Sequence, residues 1–108
     1  MTFSSRRALI VAFAATVGTA AAAQEQAASS PERLTVLADG HPLAVWVRRP
    51  AVPEGTVLLV HGRTWSSRPD FDLQVPGFRR SVMQSLADRG LAAYAVDLRG
   101  YGETPVGP

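Results

Sequence analysis

Two short apolar runs each end in a residue that could do chemistry. Val57-Leu58-Leu59-Val60 breaks into His61-Gly62, and Leu91 to Val96 breaks into Asp97-Leu98-Arg99-Gly100-Tyr101-Gly102. An imidazole at the end of a strand could serve as a general base, and Asp97 with Arg99 could form a charged catalytic pair. Trp65 and Phe71, in the long connection after His61, could line an apolar pocket, and Asp70 with Asp72 could act as paired acids. Plainer readings compete with each of these. Asp70 and Asp72 fit solvated loop carboxylates, and a loop aromatic is as often a packing anchor. Asp97 and Arg99 fit the turn leaving the strand, with Gly100 and Gly102 permitting its backbone and Arg99 tying it down. His41 follows a turn and is expected to be exposed. Two isolated histidines without ligand spacing give no metal site, and no pattern implies a cofactor.

The elements that must position these residues are legible from local patterns. Arg33–Leu37 and Leu43–Arg48 are β-prone runs on either side of Asp39-Gly40. Asp-Gly in that setting predicts a hairpin, because a type I′ turn needs positive φ at both central residues. Pro42 lacks an N–H and suits the start of an edge strand. Thr56–Val60 is continuously apolar and bounded by turn residues, which predicts a strand covered on both faces. Gly62 to Gly77 has neither period and is expected to be a long loop. From Phe78 a helical face is expected through Phe78, Val82 and Leu86 with Met83 beside them, leaving Arg79, Arg80, Gln84 and Asp88 on other faces. Gly90 closes that helix, and Leu91–Val96 forms the second covered strand. Strand, helix, strand in this order predicts a right-handed crossover between parallel strands.

Length and composition narrow the class. A chain of 108 residues holds one small domain at most. Arg6-Arg7 lead into an apolar stretch from Ala8 to Ala23, roughly 24 Å long as a helix and short of the ~30 Å hydrocarbon core. Ala21-Ala22-Ala23 before Gln24-Glu25 matches a signal-peptidase site. Residues 1–23 are therefore expected to be an export signal, by the general secretory or the twin-arginine route. Residues 24–32 then form a flexible leader and residues 33–108 a partial domain. The expected location is periplasmic or secreted, with membrane contact only through the signal. Without Arg6 and Arg7 the nine remaining arginines balance nine carboxylates, so no basic patch for nucleic acid is expected. Cysteine is absent, which excludes disulfides and thiolate metal sites.

A buried strand ending in His61-Gly62, a helix, then a second strand ending in Asp97-x-Arg99-Gly100-x-Gly102 resembles the opening of the α/β-hydrolases, over roughly Arg33 to Pro105. The resemblance implies an α/β fold, specifically the N-terminal part of that family's sheet: a β-hairpin, then a strand–helix–strand crossover, incomplete. It also implies that the second crossover strand lies between the hairpin and the His-Gly strand. In the family, the loop after the His-Gly strand supplies one backbone N–H to the oxyanion hole. In this sequence that donor is the amide of Arg63, carried by a supporting loop of His61, Gly62 and Thr64. The family's catalytic histidine lies far downstream, so His61 is expected to order the loop and not to act as the base.

The departures carry equal weight. No Gly-x-Ser-x-Gly occurs, and Ser66 and Ser67 lack the glycines and the strand-to-helix setting of a nucleophile elbow. Arg63-Thr64 follows His61-Gly62 where epoxide hydrolases and haloalkane dehalogenases commonly carry a proline at the second position. That leans toward serine esterase-like relatives, although Arg-Gly-Tyr-Gly also occurs in the epoxide-hydrolase branch. The implied function is that of an N-terminal fragment of an exported hydrolase. Its full-length relative would cleave a small-molecule ester-like bond with a serine not present in this chain. Two alternatives stay open: a small non-catalytic exported binding module, or a fragment of an epoxide-hydrolase-like enzyme with an Asp nucleophile. With the neighbouring strand absent, the Thr56–Val60 edge is expected to be open and apolar. The isolated chain is then expected to be unstable or oligomeric, and catalytically silent.

Overall fold

The computed structural model describes residues 30–107, so the expected export signal (residues 1–23) and residues 24–29 of the expected leader lie outside the described residues. The described chain builds a four-stranded mixed sheet with two short helices, a small α/β-like domain. Strand β1 (Glu32–Ala38) turns through Asp39-Gly40 into β2 (His41–Arg48), then β3 (Gly55–Val60), helices α1 (Ser67–Phe71) and α2 (Val82–Asp88), and β4 (Leu91–Val96). Pro31 is buried, and β1 begins at Glu32, which pairs with Val47.

The hairpin forms for the local reason given above: Asp39 has φ 51° and Gly40 φ 77°. Strand order is β1-β2-β4-β3, with β1/β2 and β2/β4 antiparallel and β3/β4 parallel. Pro42 therefore lies in an internal strand and not at an edge. It is tolerated because β4 pairs only with Val45–Arg48, so the missing N–H faces a stretch that β4 has already left.

Both helices pack on one face of the sheet. Trp46, Met83, Ala93 and Ala95 form the core there, with Leu59, Phe71 and Leu86 against it. The alanines leave room for the helices to approach closely. Helix α2 begins later than its apolar period suggested. Ser81 caps it by accepting a hydrogen bond from the Gln84 N–H at 2.9 Å, so Phe78 lies outside the helix and is 63% exposed. Met83 and Leu86, not Phe78 and Val82, make the inward face. Gly90 ends the helix with φ 89°. A second correction falls in the connection expected to be a loop, where Ser67–Phe71 forms a helix too short to reveal itself by period.

The opposite face carries Leu34, Val36, Val45, Val47, Leu58, Val60, Tyr94 and Val96 by strand alternation. Neither helix covers it. Strand β3 accordingly alternates in burial, with Leu58 64% and Val60 54% exposed, which corrects the expectation that both its faces are covered. The strand is also an edge of the described sheet and bears no charge. The other edge, β1, carries the ion pairs Arg33–Glu103 and Arg49–Glu32, the kind of edge charge that discourages pairing. Leu58→Lys combined with Val60→Lys should therefore shift the purified chain toward smaller species. Size-exclusion chromatography with light scattering checks this; an unchanged distribution would place self-association elsewhere.

Candidate functional site

Parallel pairing brings the two chemistry-bearing residues together. Val60 of β3 registers with Val96 of β4, so His61 and Asp97 leave the sheet side by side at the C-terminal ends of the parallel strands. This is the edge at which open α/β sheets bind ligands.

His61 is buried, 4% exposed, and both ring nitrogens are engaged. Nε2 accepts the Leu98 N–H at 3.0 Å, and Nδ1 lies 2.6 Å from the Gly62 carbonyl oxygen. These partners fix the tautomer: Nε2 must be bare to accept, so Nδ1 carries the proton and donates. The Tyr101 ring packs 5.0 Å away, centroid to centroid. A ring so occupied is a brace between the two loops, with no nitrogen free to take a substrate proton.

Asp97 is the hub of the second loop. It is 1% exposed, and its carboxylate accepts from three separate segments. Oδ1 takes the Ser67 N–H at 2.9 Å, while Oδ2 takes Trp46 Nε1–H at 2.9 Å and the Glu103 N–H at 3.1 Å. Burial pushes its pKa up, but the hydrogen bonds from Trp46, Ser67 and Glu103 together outweigh burial and hold the group below the ordinary aspartate value. The turn that follows needs its glycines. Gly100 has φ 82° and Gly102 φ 51°, and a Cβ at Gly102 would sit 2.2 Å from Asp97 Oδ2.

Arg99 does not tie the turn down; it is exposed and has no hydrogen bond or ion pair among the described residues. Thr104 does that work. Its hydroxyl donates to the Asp97 carbonyl at 2.7 Å and accepts the Ala44 N–H at 2.8 Å. His41, expected to be exposed, is 6% exposed and lies with Nε2 2.9 Å from the Pro105 carbonyl. The returning 103–105 segment covers it.

Residues 62–66 form a loop between His61 and α1, with 62–65 exposed and Ser66 half-buried. Among the described residues the Arg63 amide has no hydrogen-bond partner, and a Cβ at Gly62 would meet no atom within 4 Å. Thr64 is exposed and Trp65 is 63% exposed. Phe71 points the other way, into the core beside Met83. The two aromatics are therefore not brought to one pocket by the described residues.

Asp70 is exposed as expected, whereas Asp72 is a correction. It is 3% exposed and pairs bidentately with Arg48, Nε to Oδ1 at 2.6 Å and Nη2 to Oδ2 at 2.9 Å. Gln74 Nε2 and the Ser81 hydroxyl also donate to Oδ1. The pair ties the end of α1 and the cap of α2 to the end of β2. Its partners are distant in sequence, so no local pattern announces it; Ser67 and Trp46 escape notice for the same reason. Neither protein-family models nor curated proteins give a match to this chain.

Proposed function

We propose that these residues are the N-terminal part of an exported α/β-hydrolase whose complete form cleaves an ester-like bond through a serine. What carries the reading is the pairing of the His61-Gly62-Arg63 loop with the Asp97–Thr104 loop at one end of parallel strands in the order β1-β2-β4-β3. The Arg63 amide, unpaired among the described residues, suits the role of oxyanion donor. In the reaction, a serine oxygen bonds to the substrate carbonyl carbon and its proton passes to a base. The carbonyl oxygen gains negative charge facing the Arg63 N–H, and the alcohol then leaves with the base's proton. Water attacks the resulting acyl-enzyme by the same route and restores the serine. A fixed donor at that oxygen contributes about 3 kcal/mol to the transition state. The serine, base and orienting acid are not among these residues.

Further support comes from the uncovered β3 edge and from Leu58 and Val60, exposed on the sheet face opposite the helices, which suit another strand and another layer. Arg6-Arg7, the apolar stretch and Ala21-Ala22-Ala23 support export, to the periplasm or outside the cell. The test is to read the coding sequence in frame beyond codon 108 and to sequence the mature N-terminus. The proposal expects Gly-x-Ser-x-Gly downstream and a first residue near Gln24. A stop codon after Pro108, with residues 24–108 a stable monomer, would favour the non-catalytic binding module; an aspartate in the elbow would favour the epoxide-hydrolase-like branch.

A further inference from the structure

The geometry points to Asp97 as a positioning residue that couples the oxyanion-side loop, 62–66, to the loop after β4, 97–105; its relevance to catalysis rests on the function proposed above. One buried carboxylate holds both. Oδ1 takes the Ser67 N–H, at the far end of loop 62–66, and Oδ2 takes the Glu103 N–H. Loop 62–66 is thus pinned at each end by residues of the other loop: His61 Nε2 by the Leu98 N–H, and Ser67 by Asp97. The Ser67 hydroxyl adds a 2.7 Å bond to the Val96 carbonyl. Between the pins, residues 62–65 are exposed and the Arg63 amide is unpaired among the described residues. Order in this loop is therefore borrowed from the loop after β4. Displacing the Asp97 carboxylate from one side must disturb the other.

Gly102 offers the lever. Alanine there would press a Cβ to 2.2 Å from Asp97 Oδ2, whereas at Gly100, also at positive φ, the nearest contact is Val106 at 3.5 Å. Gly102→Ala and Gly100→Ala therefore strain the same loop, but only the first moves the carboxylate. Trypsin reads the outcome on the full 108-residue chain, because cleavage after Arg63 requires local opening of loop 62–66. Gly102→Ala should raise the rate after Arg63 by about tenfold or more, while Gly100→Ala should raise only the rate after Arg99. Ser67→Pro gives an independent route. Proline is welcome at the first position of α1, yet it removes both the N–H that Asp97 accepts and the hydroxyl that bonds Val96. Cleavage after Arg63 should quicken, and a faster cleavage after Arg99 as well is what reports the coupling through Asp97. Cleavage after Arg33 and Arg48, in β1 and β2, should stay slow in each case. An unchanged rate after Arg63 in Gly102→Ala would overturn the coupling. So would a rise at every arginine together in both Gly102→Ala and Ser67→Pro, since Asp97 would then hold the sheet and not the loops. These rates do not depend on catalysis, so the coupling and the hydrolase reading can fail separately.

Discussion

Arg48→Met should cost the fold most of its stability, about 3–5 kcal/mol, the usual penalty for breaking a buried ion pair from one side. The substitution leaves Asp72, 0% exposed in its side chain, charged and without its bidentate partner. A small domain has only about 5–15 kcal/mol in total, so the urea midpoint should fall sharply or the transition should vanish. The double variant Arg48→Met with Asp72→Leu removes both charges and should recover most of the loss, because burying the pair was itself expensive. Equal destabilisation in the single and double variants would show that packing around Arg48 matters more than the charge left behind.

Asp97→Ala should be nearly as damaging, and its effect depends on pH. Trp46 Nε1–H, the Ser67 N–H and the Glu103 N–H all lose their acceptor, and the two buried ones, on Trp46 and Ser67, each cost about 1–3 kcal/mol left unmet. The sign of the pH effect follows from the lowered pKa of Asp97 in the folded chain. The unfolded chain binds the proton more readily, so this carboxylate stabilises the fold above the unfolded value, about 4. That contribution is lost as pH falls through the lower folded value. Asp97→Asn, which cannot ionise, should therefore be less stable than the parent at pH 7, with the gap narrowing toward pH 3. Denaturant melts at several pH values check this. A gap that stays constant would mean the carboxylate's charge contributes nothing.

What was legible in the sequence was what is set locally or by pairing geometry. Asp39-Gly40 fixed its hairpin because two positive φ values leave few residue choices. The expected placement of β4 beside β3 brought His61 next to Asp97 without any knowledge of side chains. The exposed apolar edge of β3 was also anticipated, yet the half-burial of Leu58 and Val60 contradicts the continuous apolar run read in isolation. An apolar strand reports the environment it suits, not whether the covering layer is among the described residues. Helix α2 shows a different failure: the period runs on through Phe78, but a single serine hydroxyl at Ser81 decides where the helix starts. The deepest misses were polar. Arg48–Asp72, Trp46–Asp97 and Ser67–Asp97 join residues 24, 51 and 30 positions apart. Ser67 takes part through its backbone as well as its hydroxyl, and no side-chain pattern marks that.

The central claim is that this sheet presents an oxyanion donor to a serine outside the present residues. A fluorophosphonate probe applied to the exported fraction of cells making the protein tests it most directly, followed by trypsin digestion and mass spectrometry. The account predicts one labelled polypeptide that yields the peptide Gly90–Arg99, with the label on a serine flanked as Gly-x-Ser-x-Gly and absent from Ser66 and Ser67. A polypeptide yielding Gly90–Arg99 with no label, or with the label on Ser66 or Ser67, would contradict it.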